Sequence, residues 1–190
     1  MKMRIVLLAL LALASSSLQG CVPVVAVGLG TGVLMSQDRR TNVAFIDDQK
    51  IETVASERID KQIKSVMHVN VTSFNYNVLI SGEVPDESTK DEIGKIVTGI
   101  EKVRNISNEL DVSPTSSLAS RSNDSLITSN ARLRFMNDTN FNAEHIKVVT
   151  EKGTVFLMGI VKRAEADAAT EITRTTKGVQ QVVRIFEYLD

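Results

Sequence analysis

The sequence predicts an α+β chain made of two copies of a helix–strand–strand–helix–strand unit. Each copy is expected to fold as a three-stranded mixed sheet with two helices on one face. Three observations carry this expectation. The run Val78-Leu79-Ile80-Ser81-Gly82-Glu83-Val84 returns 77 residues later as Val155-Phe156-Leu157-Met158-Gly159-Ile160-Val161. At the same offset His68-Val69-Asn70-Val71 falls on His145-Ile146-Lys147-Val148, and at an offset of 76 residues 96–110 fall on 172–186. Within each copy, helical and alternating apolar spacings follow one another in the same order.

Before the repeats comes a segment of another kind. Lys2 and Arg4 precede an uncharged apolar stretch over residues 5–14, and Ser15, Ser16 and Ser17 then weaken the hydrophobicity. Ten helical residues rise only about 15 Å, half of a bilayer core, so an export signal over residues 1–20 is expected rather than a membrane span. Leu18, Gly20 and Cys21 resemble the lipobox of bacterial lipoproteins, and Cys21 is the only cysteine in the chain. The resemblance implies acylation of Cys21 and cleavage before it. Val22 in place of an aspartate implies outer-membrane sorting. Two or three acyl chains suffice for stable anchoring. Residues 21–46 are then read as the lipidated N-terminus and a flexible tether. Gly28, Gly30 and Gly32 lie in that tether without the helix and acidic residue that a dinucleotide loop requires.

In the first copy, residues 47–113, Ile51, Val54, Ala55, Ile59, Ile63 and Val66 recur at helical spacing behind Asp47 and Asp48 as candidate caps. Val69 and Val71 alternate on a strand, Asn75-Tyr76-Asn77 turns into Val78–Val84, and the two strands form a hairpin. Pro85-Asp86 opens a helix whose stripe is Ile93, Ile96, Val97 and Ile100, and residues 103–112 make the last strand. A polar linker over 114–121 separates this copy from the second, residues 122–190. There the elements are expected at 126–136, 146–150, 154–161, 164–176 and 179–189, with Lys152-Gly153 as the hairpin turn. Lys102 stands where the second copy has Gly178 at the turn into the last strand.

The doubled unit, with a hydrophobic run ending at Gly82 or Gly159, resembles the BON domain. Together with the lipobox and Asp38-Arg39-Arg40-Thr41, it resembles outer-membrane lipoproteins carrying two such domains. That resemblance implies a role in envelope integrity, with concentration at division sites, and an address in the periplasmic leaflet of the outer membrane. It also implies binding of anionic phospholipid (phosphatidylglycerol, cardiolipin) by the first helix of the second domain.

Charge and composition exclude other classes. Lys and Arg total 22 against 23 Asp and Glu, and aromatics are 4% of the chain with no tryptophan, which argues against a nucleic-acid partner. No His-Glu-x-x-His, Gly-x-Ser-x-Gly or Gly-x-x-x-x-Gly-Lys motif occurs. No catalytic, metal or cofactor residue is expected, and the chain is read as a non-enzyme. His68 and His145 sit at equivalent repeat positions and are read as solvent-facing or turn residues. Glu83, Asp86, Glu87, Asp91 and Glu92 are read as a solvated acidic face.

The copies differ in charge. Residues 47–113 hold 13 acidic and 8 basic residues, whereas 122–190 hold 9 of each. An acidic surface is repelled by an anionic bilayer, and each nearby basic residue contributes about 1 kcal/mol of attraction. The candidate phospholipid-binding residues are Leu126, Asn130, Arg132, Leu133 and Arg134, between Asp124 and Asp138. Leu126 occupies the place of a family aromatic and Asn130 that of a lysine. Leu126, Leu133 and Phe135 suit either a membrane contact or the core. A second function reading is an adaptor whose acidic first domain docks an envelope protein, such as a protease or assembly machine with a basic surface.

Overall fold

The computed structural model describes residues 38–65 and 67–190, so Cys21, the glycine-rich segment and Val66 lie outside the described residues. Helix α1 (Asn42–Gln62) starts where the Thr41 hydroxyl oxygen accepts from the Ala44 N–H at 3.1 Å. The expected caps Asp47 and Asp48 therefore lie inside the helix, and the tether expected through residue 46 gives way to helix at 42. Buried Asp48 organises a different element. Its carboxylate accepts from the Ser73 hydroxyl at 2.7 Å and from the N–H groups of Asn75 and Tyr76 at 2.8 Å each. These groups belong to the turn between β1 (His68–Phe74) and β2 (Asn77–Val84). Asn75 and Tyr76 both have positive φ, 50° and 67°. That is the pattern of a type I′ hairpin, strained for a residue as bulky as tyrosine unless its backbone is held.

Strands β1 and β2 pair antiparallel, with Val71 opposite Ile80. Asp86 caps α2 (Glu87–Thr98) by accepting from the Thr89 N–H at 2.7 Å, and the chain returns as β3 (Asn105–Val112), parallel to β2. Lys102 takes φ 71° where Gly178 takes φ 94°, so the turn before the last strand has the same backbone sense in both copies. The Lys102 ammonium pairs with Asp47 at 2.8 Å.

The second copy repeats the plan. It comprises α3 (Leu118–Met136), a short 3-10 turn (Ala143–His145), β4 (Ile146–Glu151), β5 (Thr154–Val161), α4 (Arg163–Arg174) and β6 (Gln181–Tyr188). Helix α3 starts eight residues before the expected position. Ser117 accepts from the Ser120 N–H at 3.1 Å, so half of the expected 114–121 linker is helix. Asp124 on α3 repeats the role of Asp48, accepting from the N–H groups of Lys152 (3.0 Å) and Gly153 (2.9 Å) in the β4–β5 turn.

The glycine in each hydrophobic run has a packing reason. A β-carbon on Gly82 would stand 2.0 Å from the His68 carbonyl oxygen, and one on Gly159 would stand 2.4 Å from that of His145. Only hydrogen lets the hairpin strands approach so closely there.

Both cores form as predicted, with the helices over one sheet face. Ile51, Ala55, Ile59, Ile93, Val97 and Ile100 cover Val78, Ile80 and Leu110. Ile127, Ala131, Phe135, Ala166 and Ala169 cover Val148, Val155 and Leu157. The opposite sheet faces pack on each other. Phe74 and Leu79 meet Phe156, Met158 and Ile160, all buried, with Val149, Val183 and Ile185 at the margin. This seam explains why β5 is apolar at nearly every position: both of its faces are covered.

Residues just before α1 strap the copies together. The Arg39 guanidinium donates to the Glu165 carboxylate at 2.6 and 2.8 Å and to the Ile160 carbonyl at 2.9 Å. Arg40 pairs with Asp38 and Asp48 and lies 4.1 Å from the Phe74 ring centroid. Among the described residues no helix is long and apolar enough to cross a membrane.

Candidate functional site

The inner face of α3 is set by Asp124, Ile127, Ala131 and Phe135, spaced by three and four residues and all buried. Phe135 packs edge-to-face on Phe141 with ring centroids 5.2 Å apart. Phe135 therefore belongs to the core. Leu126 and Leu133 do not: they are 64% and 57% exposed. Leu118 and Met136 are also exposed. At 100° per residue these four side chains fall within a sector of about 80°, opposite the core face. Arg132 and Asn130, both exposed, lie about 40° beyond its two margins.

The two arginines have different surroundings. Arg134 donates to the Ile172 carbonyl (2.5 Å) and to the hydroxyls of Thr176 (2.7 Å) and Thr175 (2.9 Å). It thereby satisfies the C-terminal end of α4, where helix carbonyls lack partners and the dipole favours a cation. In the first copy Arg58 donates likewise to the Gly99 carbonyl beyond α2, at 3.1 Å. Arg134 thus occupies a structural position of the repeat. Arg132 makes no hydrogen bond or ion pair among the described residues.

The structure brings Leu126, Leu133 and Arg132 to one exposed surface, sets Asn130 at its edge and commits Arg134 to α4. Leu118 lies outside the helix expected at 126–136, and Met136 is its last residue, whose face the spacing alone leaves open. The signal available was Ser116-Ser117 as a cap ahead of a stretch free of Gly and Pro.

His145 closes the 3-10 turn Ala143–His145, in line with the turn reading, but neither histidine is solvent-facing. Both are half-buried, and the His68 Nε2 lies 3.6 Å from Glu151 Oε1. Glu83 departs from the expected acidic face more sharply, being 0% exposed, while Asp86, Glu87, Asp91 and Glu92 are exposed. Among the described residues no group of three or more His, Cys, Asp or Glu side chains is arranged to hold a metal ion.

Comparison with known proteins agrees with this architecture. The BON domain model matches residues 47–114 and again 123–189. The chain is 38% identical over 185 residues to the outer membrane lipoprotein DolP of Haemophilus influenzae, covering 96% of each. It is 31% identical over 154 residues to a 21 kDa hemolysin of Actinobacillus pleuropneumoniae, covering 80% of this chain and 79% of that one. It is 28% identical over 142 residues to the osmotically inducible protein Y of Escherichia coli, covering 73% and 71%. With two matched domains and similarity along nearly its whole length to an outer membrane lipoprotein, the chain belongs to the BON domain family.

Proposed function

We propose that the chain is a non-enzymatic outer-membrane lipoprotein, held by acylated Cys21 in the periplasmic leaflet, whose second BON domain binds anionic phospholipid. In this reading it supports envelope integrity and acts at the division site. Similarity over 96% of the chain to an outer membrane lipoprotein supports the anchoring. The observation that carries the lipid reading is the outer face of α3, where Leu118, Leu126, Leu133 and Met136 are exposed beside uncommitted Arg132. Such a helix lies in the interface plane, its leucines among the upper acyl carbons and its guanidinium at the phosphates. A leucine moved fully out of water contributes about 1.5–3 kcal/mol, so two or three of them outweigh a single surface charge.

The test is co-sedimentation of the 36–190 fragment with phosphatidylethanolamine vesicles, with and without phosphatidylglycerol or cardiolipin. Pelleting that rises with anionic lipid is the expected result. Equal and negligible pelleting on both vesicle types excludes lipid binding by these domains. Dispersed fluorescence of the tagged lipoprotein in dividing cells would remove the division-site part of the proposal.

A further inference from the structure

One end of the seam between the two domains is polar and contains carboxylates without adequate counter-charge. Glu83 on β2 is fully buried; one oxygen accepts from the Ser116 N–H at 3.1 Å. Its Oε1 has no hydrogen-bond donor among the described residues. Glu151, at the end of β4, approaches from the other domain. Its Oε2 accepts from the Asn70 side-chain amide at 3.1 Å, and its Oε1 lies 3.6 Å from the His68 Nε2. His68 and Glu83 are paired across β1 and β2, so they share the sheet face that meets the second domain.

The cations nearby are engaged elsewhere. Lys152 lies 3.7 Å from Glu83 but donates to Asp111 at 2.8 Å and to the Ser113 hydroxyl at 2.5 Å. Arg121 on α3 donates to the Ser116 carbonyl at 2.9 Å. Asp124, also on α3, adds a further negative charge within electrostatic reach of Glu151. A buried ionised carboxylate with one amide donor and two acidic neighbours is costly unless it takes up a proton.

We propose that this end of the seam is a proton-controlled latch between the two BON domains, closed when Glu151 is protonated and loosened when it ionises. Electrostatics agree with the geometry. Burial, and then the charges of Glu83 and Asp124, push the Glu151 carboxyl up to about 7, against the lowering effects of the Asn70 hydrogen bond and the Arg121 charge. Burial and the Arg121 charge hold His68 below its ordinary value, so the imidazole supplies no positive charge at neutral pH. The raised value of Glu151 means that its contribution is fully present below about 4.5 and is lost as pH rises through about 7. His68 acts in the opposite direction, losing stability as pH falls below 6.5. Above pH 6.5 the two groups still oppose each other, so a fall in stability with rising pH reports Glu151 and not His68.

The experiment uses the mature chain carrying Cys21→Ser, melted between pH 6.5 and 8.5 beside a chain with Glu151→Gln added. The parent Tm is expected to fall by about 1–3 °C over this range. The Glu151→Gln chain should show at most a third of that fall and should melt above the parent at pH 8.5. Parallel slopes for the two chains overturn the proposal. Should the variant fail to fold, a carboxyl 13C titration of the parent decides: a Glu resonance with a midpoint near 7 supports the latch. Midpoints all near 4–5 refute it. A spin-label pair at Glu101 and Lys177, exposed in the turns after α2 and α4, locates the effect, because the inter-domain distance distribution should broaden from pH 6.5 to 8.5 in the parent only. An unchanged distribution shows that the latch does not act on the seam.

Discussion

Helices α1 and α3 hold the same place in their domains and share one inner face. Asp48, Ile51, Ala55 and Ile59 correspond to Asp124, Ile127, Ala131 and Phe135, and all eight are buried. Even the arginine that reaches the end of the neighbouring helix is common to both, as Arg58 and Arg134. The outer faces diverge. Where α3 carries Leu118, Leu126, Leu133 and Met136, α1 carries Asn42, Lys50, Glu57 and Asp60, all exposed. The α1 face is not wholly polar: Ile46 and, about 20° beyond the sector, Val43 are exposed where α3 has Ser122 and Ala119. A core helix is constrained by the sheet it covers, and its outer face is constrained only by what it meets outside. Inner faces that match at three of four positions, beside outer faces that differ at Leu118, Leu126, Leu133 and Met136, are the contrast on which the proposed lipid contact rests.

The largest effect tests the shared half of this comparison. Asp48→Ala removes four acceptor contacts, leaving the strained Asn75-Tyr76 turn without its partner and Arg40 paired with Asp38 alone. It should cost about 3–5 kcal/mol in denaturant unfolding. Asp124→Ala loses two N–H contacts to a turn that contains a glycine and should cost about 2–3 kcal/mol. Equal costs would show that Arg40 adds nothing to the first hairpin.

The next tests the divergent half. Leu126→Lys with Leu133→Glu gives α3 the residues that α1 has at Lys50 and Glu57. Vesicle affinity should fall at least about tenfold while stability stays within about 0.5 kcal/mol, because both leucines are exposed. The reverse pair in α1, Lys50→Leu with Glu57→Leu, should raise affinity for neutral and anionic vesicles alike. Unchanged affinity in both variants would separate lipid binding from these helix faces.

Smaller effects distinguish the two arginines. Arg134→Ala should lower stability by about 1–2 kcal/mol through the lost contacts to α4. Arg132→Ala should leave stability within about 0.5 kcal/mol and weaken binding only to anionic vesicles. The smallest effect concerns the strap. The Arg39 hydrogen bonds pull the Glu165 carboxyl down to about 2, so this pair stabilises the fold above about 4.5 and is lost as pH falls toward 2. Arg39→Ala should cost about 0.5–1 kcal/mol at pH 7, little at pH 2.5, and should move acid unfolding to higher pH.

Much of this was legible in the chain. The repeat offset, the hairpins, the stripe Ile93-Ile96-Val97-Ile100 and the Asp86 cap are local patterns, and the structure has them. Errors came where a residue's partner lies far away in sequence. Asp48 has the composition of an N-cap, yet its partners are Ser73, Asn75 and Tyr76, more than 20 positions on. Glu83 sits beside an acidic run but belongs to a strand whose far face meets the second domain. The run 155–161 did hold the clue to that seam, since a strand apolar at consecutive positions must be covered on both sides.

By itself the sequence determined the order of helices and strands, though not where α1 and α3 begin, and that the chain is one unit repeated, because periodicity and turn chemistry act over a few residues. It also determined the charge difference between the copies. Only the tertiary structure decided that the bare sheet faces close on each other, that Phe135 turns inward while Leu126 and Leu133 turn out, and that Arg134 is spent on α4. Those outcomes depend on which surfaces compete for burial once both domains have formed, and no local pattern encodes that competition.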